Sequence, residues 1–100
     1  MNTPHVILFN IIHSSARKNY KNVFGITYAD QGSLYAARGF GEKKTDGYHA
    51  EVTACYETED TIYVTTELRG PQKGEDIKKE RTCPYVVIKM DYEEKQVMFL

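Results

Sequence analysis

The sequence predicts a single α+β domain that is mainly β, with one N-terminal helix packed on an antiparallel sheet, or on a small barrel or sandwich, of about six strands. A chain of 100 residues is the size of one domain with one modest core. Eight tyrosines and four phenylalanines suit the pleated surface of strands. From residue 24 onward, short runs of alternating apolar and polar residues lie between turn residues, which is typical of strands.

The first element is predicted to be a helix over residues 4–18. Thr3 followed by Pro4 is a typical helix start, because threonine caps the first turn and proline suits the first helical position. The competing interpretation is a strand, because the sequence VILFNII is short and rich in β-branched residues. We expect the helix, with its apolar side against one face of the sheet. Its apolar stripe would consist of Leu8, Phe9, Ile12 and Ala16.

Six strands are predicted after the helix, at residues 24–29, 33–39, 47–57, 60–68, 84–92 and 96–100. Short hairpins should join all but one consecutive pair. The exception is a charged connection over residues 72–81, whose length is typical of a functional loop or of a solvated one. The clearest strand is the third. On its first face we expect Tyr48, Ala50, Val52, Ala54 and Tyr56.

A glycine-rich connection before the third strand organises the chain, and we call residues 39–48 the glycine corner. It holds three of the seven glycines and a Thr-Asp-Gly turn, and glycine tolerates positive φ. We predict a rigid corner that presents a tyrosine to a protein partner at one end of the sheet, with residues 72–81 nearby. The alternative is an ordinary structural loop. The predicted partner-binding residues are Phe40, Thr45, Gly47 and Tyr48.

The charge balance excludes several function classes. Thirteen basic and 14 acidic residues give a net charge of −1, which offers no basic surface to nucleic acid or to an anionic membrane. Arg38 opens an Arg-Gly-Phe-Gly run like that of RNA-recognition domains, but Glu42 and Lys43 break the pattern. No apolar run reaches the roughly 18 residues that span a bilayer, and no export signal is recognisable. We therefore expect a cytoplasmic protein or the mature part of an exported one.

No catalytic, cofactor-binding or metal-binding motif is complete, so we expect a non-enzymatic protein without a cofactor. His49 and Glu51 lie on one strand face and could provide two metal ligands, which leaves a small metal-dependent hydrolase as an alternative. Cys55 and Cys83 lack the spacing of a zinc site. They form either a disulfide that closes a loop of about 28 residues or two separate core thiols.

Several short motifs occur in a characteristic order between residues 24 and 99. They are Leu34-Tyr35, Gly39, Gly41-Glu42, Thr45, Gly47-Tyr48, Gly70-Pro71, Thr82, Pro84-Tyr85 and Val97-x-Phe99. In this order they resemble the C-terminal domain of the PrcB family, which is named for a subunit of a bacterial surface protease complex. Two positions depart from the family pattern, Asp46 where a glycine is usual and Cys83 where an aromatic residue is more typical.

The resemblance implies a non-catalytic accessory or binding module that associates with a protease or modulates it. Because members of the family are mostly exported or lipid-anchored, it favours an extracytoplasmic location over a cytoplasmic one. A small inhibitor of cysteine proteases is a further alternative, since some β-rich inhibitors also present a Thr-Gly-Tyr turn.

Overall fold

The computed structural model describes residues 5–16 and 21–100, and over these residues every regular element is a β-strand. The strands are β1 (His5–Val6), β2 (Asn10–Ala16), β3 (Val23–Asp30), β4 (Ser33–Phe40), β5 (His49–Glu57), β6 (Thr61–Arg69), β7 (Pro84–Asp91) and β8 (Gln96–Phe99). They form a sandwich of two four-stranded sheets, the first in the order β1-β5-β6-β8 and the second in the order β2-β7-β4-β3. The described residues include no helix with the length and apolar character needed to cross a membrane.

The predicted helix over residues 4–18 is wrong, and so is the α+β class. Residues 5–16 form β1, a short link and β2, whereas residues 3, 4, 17 and 18 lie outside the described residues. Leu8, which the helical stripe placed inside, is 92% exposed, while its neighbours Ile7 and Phe9 pack against the core. In an extended chain every second side chain points to the same face, so alternate residues are buried. The β-branched residues in this segment favour the extended conformation.

Each of the six predicted strands overlaps one of β3 to β8, with bounds that differ by at most two residues. The expectation of short hairpins at all but one connection is wrong at two places. The links from β4 to β5 and from β7 to β8 each pass from one sheet to the other. As a result, β8 pairs with β6 in parallel, and all other strand pairs are antiparallel.

The regular alternation predicted for the third strand ends in the middle of β5. Its register against β6 shifts between Val52 and Ala54, where one extra residue forms a β-bulge. The bulge turns Cys55 into the core. Tyr56, predicted to share a face with Val52, instead stacks on Tyr63 with ring centroids 5.2 Å apart. A one-residue shift moves every later side chain to the opposite face.

The core lies between the two sheets and is made of small and aliphatic side chains. Its buried members are Leu34, Ala36, Ala50, Val52, Cys55, Ile62, Val64, Val86, Ile88 and Met90. The rings of Phe9, Phe40 and Phe99 pack against this cluster from its rim. Each fully buried aliphatic side chain of this kind contributes about 1.5–3 kcal/mol relative to exposure.

A lysine and two glutamates fasten the connection from β7 to β8 onto the end of β5. The Lys95 ammonium contacts the carboxylates of Glu57 and Glu93 and donates a hydrogen bond to the Thr58 carbonyl oxygen at 2.9 Å. A hydrogen bond from Glu93, and then one from Lys95, holds the pKa of Glu57 below its ordinary value. The same bond to Glu57, together with burial, raises the pKa of Glu93. Ionisation of the two carboxyl groups therefore changes the stability of the fold in opposite directions.

We expect Glu57→Gln to lower the melting temperature at pH 7 and Glu93→Gln to raise it. A lowered folded pKa means that ionised Glu57 stabilises the fold above about pH 4.5, and this contribution is lost as the pH falls. A raised folded pKa means that ionised Glu93 costs stability, which is recovered on acidification from pH 7 toward about 4.5. Thermal unfolding across this pH range checks both signs, each variant serving as the control for the other. A lower melting temperature of Glu93→Gln at pH 7 would contradict the assignment.

Candidate functional site

The predicted contact residues lie at the end of the sandwich where two long connections cross between the sheets. Residues 41–48 of the glycine corner link β4 to β5, and residues 70–83 link β6 to β7. The second connection packs directly on the first. We call the two segments together, residues 39–48 and 70–83, the braced end.

Five hydrogen bonds that each involve a main-chain atom join the two segments of the braced end. Lys43 and Thr82 exchange both main-chain bonds of an isolated antiparallel bridge, at 2.7 and 3.1 Å. The Asp46 amide donates to the Lys78 carbonyl oxygen at 3.1 Å, and the Lys78 amide donates to Asp46 Oδ1 at 2.7 Å. Thr82 Oγ1 donates to the Thr45 carbonyl oxygen at 2.8 Å. At about 0.5–1.5 kcal/mol for each bond, this network offsets part of the entropy cost of ordering a long surface loop.

Glycine is required at position 47 for two reasons. Gly47 has a φ of 88°, which side chains rarely adopt. A Cβ atom there would also lie 2.9 Å from Pro71 Cβ, 3.0 Å from Glu75 Oε2 and 3.2 Å from Ile77 Cγ2. The long connection therefore lies flat on the main chain of the glycine corner. A second close approach is that of the Tyr48 ring to the main chain of Gly70.

All four predicted partner-binding residues are half-buried, so the expectation of an outward-facing Tyr48 needs correction. Its ring packs against the main chain of the long connection. Phe40 packs against the core, with the Arg38 guanidinium carbon 5.2 Å from its ring centroid. Thr45 Oγ1 donates a hydrogen bond to the Asp46 carbonyl oxygen at 3.0 Å. With Gly47, these residues form the base of the braced end.

The exposed surface of the braced end belongs to residues 72–81, every one of which is exposed. This segment mixes four basic and three acidic residues with one apolar side chain, Ile77, which is 43% exposed. Arg81 Nη1 donates to Glu42 Oε1 at 3.0 Å and ties the segment to the glycine corner once more. Beside this ion pair lies an open cleft of about 420 Å³, lined by Lys21, Glu42, Lys79, Glu80 and Arg81. The surface is thus charged, mixed in sign and held in place.

Residues 72–81 were predicted to lie near the glycine corner, but no motif in the sequence predicts their direct contact with it. The contact depends on Asp46 and Lys78, which are far apart in the chain and belong to no recognisable motif. The only local indication of this contact is that both segments contain small turn residues, which permit a close approach to the main chain.

His49 and Glu51 do not form the beginning of a metal site. His49 is exposed on the outer face of β5, and Arg69 is its partner on β6. The Glu51 carboxylate is paired with the Arg69 guanidinium, with Nε and Oε2 2.7 Å apart. Glu51 is therefore engaged by a cation, and the described residues contain no group of three His, Cys, Asp or Glu side chains placed to hold a metal ion.

The two cysteines are separate core thiols. Cys55 and Cys83 are both free, and each is 1% exposed, so the disulfide left open by the sequence is not formed. Burial, and secondarily the charge of Glu57, raises the pKa of Cys55 to about 11. At neutral pH this group is a protonated thiol, which is a poor nucleophile.

These features define a small all-β sandwich domain with one rigid loop end. A comparison with known protein families matches residues 34–91 to the PrcB C-terminal domain, and the chain belongs to this family, which confirms the resemblance. The matched region runs from β4 to β7 and includes the whole braced end. No curated protein and no solved structure matches the chain.

At the atypical position 46, the aspartate carboxylate accepts the hydrogen bond from Lys78.

We expect Gly47→Ala to destabilise the domain more than Gly74→Ala. Both glycines have nearly the same positive φ, 88° and 87°, so alanine at either site costs about 1–2 kcal/mol of backbone strain. Only at Gly47 would the new methyl group press against the long connection, because no atom lies within 4 Å of its position at Gly74. Denaturant unfolding measures the difference, and faster hydrogen exchange of the Lys78 amide reports the loosened contact. Equal destabilisation by the two variants would show that the contact contributes little.

We also expect both thiols to resist a disulfide-exchange reagent in the native protein at neutral pH, because both are buried and Cys55 is protonated. In denaturant both should react at the rate of free thiols. Rapid native labelling of Cys55, identified by peptide mass spectrometry, would contradict its placement in the core.

Proposed function

We propose that this domain is a non-catalytic accessory module that binds a protein partner through the braced end. The observation that carries the proposal is the fixed main chain of residues 72–81, a fully exposed segment held to the glycine corner by hydrogen bonds. Ordering a free loop of this length would cost about 1–2 kcal/mol per residue. Because this loop is ordered on folding, a partner that binds it does not have to supply that free energy.

The surface of the braced end offers one apolar contact within a charged surround. Ile77 is a partly exposed apolar side chain surrounded by charged residues, and a central apolar group within a polar rim is the usual anatomy of an interface. Lys44 and Lys79 lie at the rim as exposed cations. The half-buried residues below, including Tyr48, would support this surface more than they contact the partner.

A protease is the partner that we propose, on the basis of the family. The resemblance implies association with a protease or modulation of one. A rigid exposed loop is also what pre-organised protease complexes use, since their interfaces move little on binding. The braced end therefore suits both a passive subunit and an inhibitor, including the inhibitor of cysteine proteases expected as an alternative.

The absence of catalysis is part of the proposal. Two observations support it. The Cys55 thiol, which a thiol enzyme would use as a thiolate, is protonated. The Glu51 carboxylate, which a metal enzyme would use as a ligand, is paired with Arg69. Partner binding requires neither group.

The test measures binding of the domain to a panel of serine, cysteine and metalloproteases, together with the activity of each protease. We expect at least one protease to bind, and we expect the double variant Lys44→Glu and Lys79→Glu to bind about tenfold more weakly, which corresponds to roughly 1.4 kcal/mol. A reduced rate of substrate cleavage would identify an inhibitor, and an unchanged rate would identify an accessory subunit.

The matched control is Glu59→Lys, a charge reversal at an exposed residue in the turn between β5 and β6, at the opposite end of the sandwich. It should leave the affinity unchanged. Binding that responds to Glu59→Lys and not to the lysine reversals would place the contact elsewhere. Failure of every protease to bind would remove the protease from the proposal.

A further inference from the structure

The four outer edges of the two described sheets differ in how well they are protected. β1 has two residues and β8 has four, and β2 is interrupted by a register shift between Ile11 and His13. Short strands and bulges are common ways in which proteins prevent a sheet edge from pairing with another chain. β3 has neither, because it runs for eight residues in unbroken register with β4.

The sequence of β3 also lacks the chemical forms of edge protection. Between Val23 and Asp30 there is no proline and no lysine, and the single charge stands at the last position. Charged residues and prolines are the other devices that make an edge strand unattractive to a neighbour. β3 is thus a regular edge strand without protection.

β3 is exposed along almost its whole length. Seven of its eight residues are exposed, including Gly25, whose exposure can only be that of its main chain. The large apolar side chains of Val23, Ile26 and Tyr28 are exposed by 63%, 59% and 63%. An accessible edge with apolar side chains recognises another extended strand, since main-chain hydrogen bonds supply affinity and the side chains supply register.

We propose that β3 pairs with β3 of a second copy of this chain, antiparallel and about a two-fold axis, to form one continuous eight-stranded sheet. With the axis at Ile26, this residue lies opposite its own copy, and Phe24 lies opposite Tyr28. Such aromatic and β-branched pairs contribute about 0.2–1 kcal/mol each. Asp30 lies opposite Asn22, so no like charges meet. This self-complementary pattern is what a two-fold interface requires, and it is the reason for choosing a second copy as the occupant.

This association is independent of the proposed partner site. The middle of β3 carries the axis, whereas the braced end meets only the start of the strand, where Phe40 and Gly39 pair with Val23 and Phe24. Because the two strands run in opposite directions, the two braced ends would lie at opposite ends of the dimer.

The test is the oligomeric state of the full chain, measured by analytical ultracentrifugation over a micromolar to millimolar concentration series. We expect a dimer in the wild type and loss of the dimer in Ile26→Lys, because two lysines would then face each other at the axis. Ile26 is largely exposed, so the monomer should keep its fold, which circular dichroism checks. Glu59→Gln is the control with the same change in net charge. Glu59 is exposed in the turn between β5 and β6, which belong to the other sheet, so this variant should leave the dimer intact.

A charge-pair experiment tests the register directly. Ile26→Lys and Ile26→Glu should each be monomeric alone and should form a heterodimer when mixed, because lysine then lies opposite glutamate. A wild type that stays monomeric at every concentration would overturn the proposal. A persistent dimer of Ile26→Lys, or a mixture that fails to associate, would overturn it as well.

Discussion

The arrangement of the braced end depends on main-chain pairing between two connections that are distant in the sequence. Asp46 and Lys78 exchange two hydrogen bonds, and Lys43 and Thr82 exchange two more. Because one connection joins β4 to β5 and the other joins β6 to β7, these bonds also link two of the points at which the chain changes sheets. The close contact at Gly47 is possible only because this residue has no side chain, so that the side chains of Pro71, Glu75 and Ile77 reach its main chain. The position of the charged surface therefore follows from backbone geometry.

The strands of the second half of the chain could be predicted because their determinants are local. Alternation of apolar and polar residues, together with glycine, proline and aspartate in the turns, located β3 to β8 to within two residues. The N-terminal segment was misassigned because Thr3 and Pro4 resemble a helix start while the following residues suit a strand. Pairing with β5 and β7 decides between these two local preferences, and such pairing is a tertiary effect that no short window of sequence contains.

The position of the candidate residues at one end of the sheet could be predicted from the sequence, but the extent of their burial could not. Phe40, Thr45, Gly47 and Tyr48 do lie at one end of the sandwich, as the turn residues indicated. The half-burial of Gly47 and Tyr48 results from a loop that starts more than twenty positions later, so it could not be predicted from the corner itself. The bulge in β5 is a similar case, because a single extra residue at Thr53 changes which side chains reach the core, and no residue type in that strand requires it.

The parallel pairing of β8 with β6 has a consequence for the order of folding. A parallel neighbour cannot form through a tight turn, so the chain passes through β7 in the other sheet before it crosses back to place β8 beside β6. Its Phe99 then closes the rim of the core, where the ring contacts Gly25 and lies 5.9 Å from the Arg38 guanidinium carbon. Contacts of such high sequence separation form slowly. A chain in which β8 has not docked would therefore expose the side of β6 next to an incomplete core, and an unpaired strand edge of this kind can pair with another chain.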